Sequence, residues 1–127
     1  MFEVKKYTDK YEDELMKVIE IEGEDWSIYW EEPNATIYKK ALRESITYIA
    51  LQDGKVCGYS RSIQDALFIY VCDLLVTSTC RGNELGKKLL KCIEKDYPGL
   101  PIYVMSGNDE YYQKLGCTKE GSIYLFE

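Results

Sequence analysis

Histidine does not occur among the 127 residues. That absence removes Ser-His and Cys-His nucleophilic pairs and the commonest transition-metal ligand. A general base must then be a carboxylate, a tyrosine, a thiolate or a water. No apolar run approaches the ~20 residues that span a bilayer, so no membrane association is expected. The opening Met-Phe-Glu-Val-Lys-Lys-Tyr lacks the apolar stretch and small-residue cleavage site of a secretory signal, and a cytoplasmic location is the expectation. Basic residues are in the minority, 16 Lys and Arg against 22 Asp and Glu, for a formal charge of −6. Nucleic-acid binding needs basic patches that displace counterions, so no nucleic-acid partner is expected, and the charge leaves room for a cationic partner. The five cysteines are odd in number and never spaced Cys-x-x-Cys, which fits neither a disulfide framework nor a zinc site. Reduced, mostly buried thiols and no metal are expected.

What is present reads as one domain over residues 1–127, long enough for a real core and too short for two. Phe2 to Thr8 predicts a first strand, and Asp9 opens a helix with Tyr11, Leu15, Val18 and Ile19 on one face. Pro33 or Asn34 starts a second helix that buries Ile37, Ala41 and Leu42. Ile46–Leu51 and Val56–Ile63 flank Asp53-Gly54, a hairpin signal. Ala66 to Thr77 suits a central strand whose one charge is Asp73. Leu85, Leu89, Leu90 and Ile93 fall at helical spacing before Pro98-Gly99, and Pro101–Met105 is a short strand. Asn108 caps a helix through Lys114, closed by Gly116, and Ser122–Phe126 supplies a last strand. The order β-α-α-β-β-β-α-β-α-β indicates a mixed, mostly antiparallel sheet flanked by helices in an α+β fold. No repeat, linker or low-complexity segment interrupts it.

The strongest chemical signal is Val76-Thr77-Ser78-Thr79-Cys80-Arg81-Gly82-Asn83-Glu84-Leu85-Gly86-Lys87, a strand that turns through glycines into an amphipathic helix. Glycines let backbone N–H groups approach a phosphate, the helix start supplies positive potential, and Arg81 and Lys87 add charge-assisted donors. A pyrophosphate fits such a turn. The spacing is neither the Gly-x-Gly-x-x-Gly of dinucleotide folds nor a P-loop, which ends in Gly-Lys-Ser/Thr.

On these residues the sequence resembles the GNAT superfamily of acetyl-CoA-dependent N-acetyltransferases, whose signature is Gln/Arg-x-x-Gly-x-Gly/Ala between a fourth strand and the next helix. Arg81 and Gly86 match, and Glu84 stands where the first glycine would be. The likeness extends upstream over Tyr70–Val76 and downstream to Tyr111-Tyr112-Gln113-Lys114-Leu115-Gly116, which is similar to the family's Phe-Tyr-x-Lys-x-Gly-Phe segment. The resemblance implies acetyl-CoA as co-substrate, held by Arg81, Gly82, Asn83, Glu84, Leu85, Gly86 and Lys87. It also implies a bulged fourth strand whose Leu75 and Val76 N–H groups meet pantetheine or the thioester carbonyl. Tyr112 aligns with the tyrosine that protonates the departing thiolate. Met105 occupies the position where many relatives carry an asparagine, and Asn108 does not inherit that role.

Asp73 interrupts an apolar strand, where an unpaired carboxylate is costly. It either takes a proton from the acceptor ammonium through water or orients a neighbouring loop. In the family the loop between the first two helices helps form the acceptor pocket. Here that stretch holds Trp26, Tyr29 and Trp30 among Glu20, Glu22, Glu24, Asp25, Glu31 and Glu32, and aromatic faces and carboxylates attract cations. Asp65 is a further candidate contact. The implied acceptor is a basic small molecule such as a polyamine or an aminoglycoside-like amine, with a protein lysine or N-terminus second, attacked directly in a ternary complex by a monomer or homodimer. The alternative is a catalytically weak or inactive acyl-CoA-binding module, favoured by Glu84 and the missing asparagine.

Overall fold

The computed structural model describes all 127 residues. Strands β1 (Phe2–Lys6), β2 (Ile46–Gln52), β3 (Lys55–Gln64), β4 (Ile69–Val76) and β5 (Ile102–Val104) form one sheet in the order β1-β2-β3-β4-β5. The first four are antiparallel to their neighbours, and β5 runs parallel to β4. The helices are α1 (Glu12–Ile21), α2 (Ser27–Trp30), α3 (Asn34–Glu44), α4 (Leu85–Asp96) and α5 (Asp109–Lys114). A parallel pair needs a crossover, and α4 is that crossover. The expected α+β architecture with a mixed, mostly antiparallel sheet is observed. No helix is long and apolar enough to cross a membrane.

The sheet is covered on both faces. Leu15, Met16 and Ile19 of α1 and Ala35, Tyr38 and Leu42 of α3 pack on Ile49, Leu51, Tyr59 and Leu75. On the other face Leu85, Leu89 and Ile93 of α4 pack on Tyr48, Ala50, Ile69 and Val71. Sealing an aliphatic side chain such as Leu15, Leu42 or Leu89 stabilises by about 1.5–3 kcal/mol each. Glu12, Asp13 and Glu14 fill the first turn of α1, where negative charge favours the helix dipole, and Glu14 Oε2 also accepts the Val56 amide at 2.7 Å. That bond ties α1 to β3.

Three expectations change. In α3 the buried side is Ala35, Tyr38 and Leu42, while Ile37 is exposed; one helical step decides the face, and Tyr38 turns inward because its hydroxyl finds buried partners. Two of the five thiols, Cys57 and Cys80, are buried, and the other three are half-buried. The last strand is not formed: Ser122–Phe126 pairs with nothing and is exposed. A strand needs a ladder partner, and the chain from Cys117 to Ile123 runs instead along the far wall of a groove of about 750 Å³ beside β5.

Two single-residue bulges shape the sheet. Cys57 is the extra residue of β3 opposite Ala50 and Leu51, and Cys72 is the extra residue of β4 opposite Arg61 and Ser62. Bulges bend and twist the strand that carries them. The one at Cys72 falls where β4 leaves β5.

Candidate active site

The β4–β5 ladder runs from Ile69–Ile102 to Val71–Val104 and closes with the Met105 amide donating to the Val71 carbonyl at 3.0 Å. From there β4 continues alone to Val76 and a gap opens. The direction of its backbone groups follows from register. The Thr77 amide donates to the Cys57 carbonyl, one step past the Val76–Gly58 pair, so that pair is a non-hydrogen-bonded one. By alternation the Leu75 amide faces β3, and the Leu74 and Val76 amides face the gap. The family pattern pointed to Leu75 and Val76; the register keeps Val76 and replaces Leu75 with Leu74, because the bulge resets the alternation. The Leu75 side chain is in the core.

The turn from β4 into α4 is open to solvent. Gly82 has φ 88° and Glu84 φ 58°, both left-handed, so Glu84 adopts the backbone conformation that glycine tolerates best, and its side chain points to solvent. No side chain caps α4, and the first intrahelical bond runs from the Lys88 amide to the Glu84 carbonyl at 3.0 Å. The Leu85, Gly86 and Lys87 amides are therefore the helix's free donors. Asn83 Nδ2 donates to the Cys80 carbonyl at 3.0 Å and sets the turn, and the Leu85 side chain is buried under it. Arg81 Nε donates to the Val76 carbonyl at 3.0 Å, with Nη2 3.8 Å from Glu22. Arg81 thus braces the gap's rim, and the Lys87 side chain is exposed.

Tyr111 and Tyr112 on α5 part company. Asn108 Oδ1 accepts the Tyr111 amide at 3.1 Å, which caps α5 as expected. The Tyr111 hydroxyl lies against Gly86, in the space a Cβ would need, with Leu74 the next neighbour. Tyr112, the residue singled out by the motif, packs edge-on to Tyr111 with ring centres 5.0 Å apart and lines the groove beside β5. Burial pushes the Tyr112 phenol up to about 12, with Tyr111 adding to the rise. Burial also raises Tyr111, and Arg81 works against that rise.

Asp73 is 4% exposed and firmly held. Its Oδ2 accepts from Arg61 Nε at 2.6 Å and from the Tyr38 hydroxyl at 2.6 Å. Tyr38 and Tyr59 hydroxyls lie 2.7 Å apart. Each phenol has one proton, so with Tyr38 donating to the carboxylate, Tyr59 donates to Tyr38. Burial holds Tyr38 and Tyr59 far above the ordinary phenol range, with Asp73 reinforcing both. Tyr29 is raised to about 12 by burial and then by Asp73. Arg61 is raised: burial acts to lower it, and the Asp73 hydrogen bond and charge outweigh that. Arg61 also donates to Ser45 Oγ at 3.3 Å.

Trp26, Tyr29 and Trp30 pack half-buried against the α1–α3 side of the sheet. Tyr29 lies 4.6 Å from Tyr38 between ring centres, and Trp26 5.6 Å from Tyr29. The Trp30 indole donates to the Gly23 carbonyl at 3.0 Å and so holds its own loop. The structure brings Trp26 and Tyr29 to the Asp73 network and leaves Asp65 out: Asp65 Oδ1 accepts the Leu67 and Phe68 amides at 2.7 and 2.8 Å, at the end of β4 remote from the turn. Sequence reasoning missed Tyr38, Tyr59 and Arg61. The available signal was the isolated Asp73, since a buried carboxylate requires a cation and Arg61 is a cation in the adjoining hairpin strand.

The comparisons with known proteins agree with this geometry. The family model described as the Acetyltransferase (GNAT) family matches residues 15–117. No curated protein matches the chain. Among solved structures, an aminoglycoside acetyltransferase, HMB0005, from an uncultured soil metagenomic sample superposes with a TM-score of 0.74 at 20% identity, covering 100% of this chain and 98% of that one. The ribosomal-protein-alanine N-acetyltransferase of Brucella melitensis biovar Abortus 2308 gives 0.76 at 12% identity, with 100% and 99% covered. Aminoglycoside N-acetyltransferase AAC(6')-Iy in complex with CoA gives 0.77 at 10% identity, with 100% and 94% covered. At these identities the superpositions speak for the fold, and the family model speaks for descent: the chain belongs to the acetyltransferase (GNAT) family.

Proposed function

We propose that this chain transfers the acetyl group of acetyl-CoA to a primary amine of a cationic small molecule, by direct attack in a ternary complex. The observation that carries the reading is the gap between β4 and β5, with two backbone amides turned into it and an uncapped helix start at its rim. The turn fits a pyrophosphate: the Leu85, Gly86 and Lys87 amides are free, and Lys87 adds charge. Acetyl-CoA would supply the activated acyl group as a thioester. The Leu74 and Val76 amides are the donors available to an oxygen gaining negative charge in the gap. The Tyr111 hydroxyl beside Gly86 and Leu74 is better placed to give a proton to a leaving thiolate than Tyr112, and both phenols stay protonated at neutral pH.

Asp73 has one oxygen tied by Arg61 and Tyr38. Tyr29 lies against the same carboxylate, which adds to the rise that burial gives its phenol, and the Asp73–Tyr29 corner serves to attract and orient an ammonium, with water carrying the proton away. Trp26 and Tyr29 add aromatic faces to the same side. The aminoglycoside acetyltransferases among the structural neighbours support a small polycationic acceptor. The ribosomal-protein-alanine enzyme keeps a protein amine as the second choice.

The first test is thermal stability with acetyl-CoA, CoA, ATP and GTP, followed by thiol release with a panel of polyamines and amino sugars. A ligand that binds only the folded state raises the melting temperature. Stabilisation by both CoA forms, none by the nucleotides, and amine-dependent thiol release are expected. CoA binding without release for any amine would instead favour the binding-module alternative. Glu84 is the feature behind that alternative, so Glu84→Gly should then restore release if the left-handed acid is the cause.

A further inference from the structure

On the face of the sheet that carries Asp73, the helices stop short of β5. Helices α1 and α3 pack on β2, β3 and the Leu75 end of β4, and nothing from β5 or from the start of β4 enters that core. Ile69 and Val71 of β4 and Ile102 and Val104 of β5 all pack on the α4 side. Tyr70 and Tyr103 are paired across the two strands. By alternation they stand on the opposite face, the one on which Asp73 meets Tyr38.

The two rings stack with centres 6.0 Å apart, and Phe68 meets both edge-on, at 5.9 Å from Tyr70 and 5.3 Å from Tyr103. These are favoured aromatic geometries, so the three rings hold one another in place without a covering helix. The triad is nonetheless open to water. Tyr103 is 36% exposed, and Ile63, across from Tyr70 in β3, is 46% exposed. Scattered apolar residues on a surface are ordinary, whereas a contiguous exposed patch beside a polar corner marks a binding site.

What this shelf takes follows from where it ends. Asp73 stands three residues beyond Tyr70 with the Cys72 bulge between them, about 7–10 Å along a pleated strand. The next residue is Leu74, whose amide faces the gap. Shelf, carboxylate and gap therefore follow one another along a single strand. The patch itself holds no carboxylate for a second ammonium, and Asp65 beyond it has Oδ1 committed to the Leu67 and Phe68 amides. We propose that the acceptor carries an aromatic ring on a short alkyl chain from its amine, the ring seated on Phe68, Tyr70 and Tyr103 and the ammonium at Asp73. The amine's fate rests on the acetyl-transfer reading; the ring's seat rests on the shelf alone. Tyr70 and Tyr103 then set specificity, because a plain alkylamine keeps only the carboxylate end of a two-point attachment.

Two measurements on 2-phenylethylamine, 3-phenylpropylamine, propylamine and spermidine test this: thiol release from acetyl-CoA, and equilibrium dialysis against the protein saturated with CoA. The aryl amines should exceed the other two by at least about tenfold in kcat/KM and in affinity, the scale on which an apolar pocket discriminates. Tyr103→Ala removes an exposed ring and should collapse that preference, mainly through KM, with the circular dichroism spectrum intact. Tyr103→Phe should keep it, since the ring and not the hydroxyl makes the seat. Tyr103-dependent binding of 2-phenylethylamine without release from any amine would support the shelf and sink acetyl transfer instead. Propylamine or spermidine used as well as the aryl amines overturns the proposal while acetyl transfer stands. Aryl amines that neither bind nor react overturn it too, as does a Tyr103→Ala variant that slows every amine alike, because the ring then only supports the fold.

Discussion

A carboxylate on a strand of apolar residues survives because two side chains donate to it and a third holds one of the two. Arg61 and Tyr38 both donate to Asp73 Oδ2, and Tyr59 completes the chain of hydroxyls. Removing one member of a buried ion pair costs about 3–5 kcal/mol, whereas replacing both members with apolar residues is often neutral. The Arg61 side chain is 16% exposed, so water recovers part of the penalty. Asp73→Asn should therefore lower the unfolding free energy by about 3 kcal/mol, read from urea denaturation. The double variant Arg61→Met with Asp73→Leu should recover most of that loss. Activity separates the two roles open to Asp73: if the stable double variant still acetylates amines, the carboxylate only holds Arg61 and Tyr38 in place; if it is stable and inactive, Asp73 meets the acceptor. The sequence exposed Asp73 as the one charge in its strand. Its partners stayed hidden because a one-residue error in the buried face of α3 puts Ile37 inside and Tyr38 outside, and a strand arginine reads as solvated until the register sets it opposite Asp73.

At the scale of elements, the site lies where three pieces meet: the strand end beyond Val71, the first turn of α4, and α5. Their existence was legible. Asp53-Gly54 gave the hairpin, Leu85, Leu89 and Ile93 gave α4, and Asn108 gave the start of α5. Their mutual placement was not. A bulge leaves no mark in a sequence of Tyr-Val-Cys-Asp-Leu-Leu, so the shift from Leu75 to Leu74 needed the pairing partners. The choice between Tyr111 and Tyr112 depends on how α5 is rotated, which six residues of helix do not fix. The last strand failed for the same reason, since β-propensity reports a fitting surface and not a partner. The Gly86–Tyr111 contact tests this junction. A methyl group on Gly86 would collide with the Tyr111 hydroxyl, while alanine is favoured over glycine inside a helix by about 1 kcal/mol. Gly86→Ala should therefore change stability by no more than about 1 kcal/mol, yet weaken acetyl transfer by displacing Tyr111. Tyr111→Phe, which removes the colliding atom, should couple to it: the double variant should differ from the sum of the singles by at least about 0.5 kcal/mol in urea denaturation. Strict additivity would place the hydroxyl elsewhere. In the same assays Tyr111→Phe should slow turnover more than Tyr112→Phe.

At the scale of the molecule, the absence of histidine and the wealth of buried phenols give the fold an unusual pH dependence. No imidazole titrates near neutrality, so stability should be nearly flat from about pH 7 to 8. The upper limit is set by groups that fold in their protonated form. Tyr7, Tyr29 and Tyr112 are each raised by burial from 10.0 to about 12. Tyr38 and Tyr59 are pushed higher, and Cys57 rises from 9.0 to about 12 through burial and the adjacent Cys80 thiol. The sign follows from proton counting. Below the unfolded values both states are protonated and nothing is lost. Above them the unfolded chain releases protons that the folded chain keeps, so unfolding is favoured as pH rises. The loss begins near pH 9 with Cys57 and steepens above 10 with the tyrosines. Tyr38 and Tyr59 are 6% and 0% exposed, so solvent relieves them little. Well above the unfolded value each contributes about 1.4 kcal/mol per pH unit; between pH 10 and 11, where the unfolded phenol is only part ionised, the two together contribute about 2 kcal/mol. Urea midpoints should hold steady to pH 9 and then fall sharply, with tyrosinate absorbance beyond that of the exposed tyrosines rising only as the chain unfolds. Tyrosinate appearing near pH 10 in a still-folded protein, for more than the exposed tyrosines, would mean that the phenols around Asp73 are open to water and that the sealed network does not exist in solution.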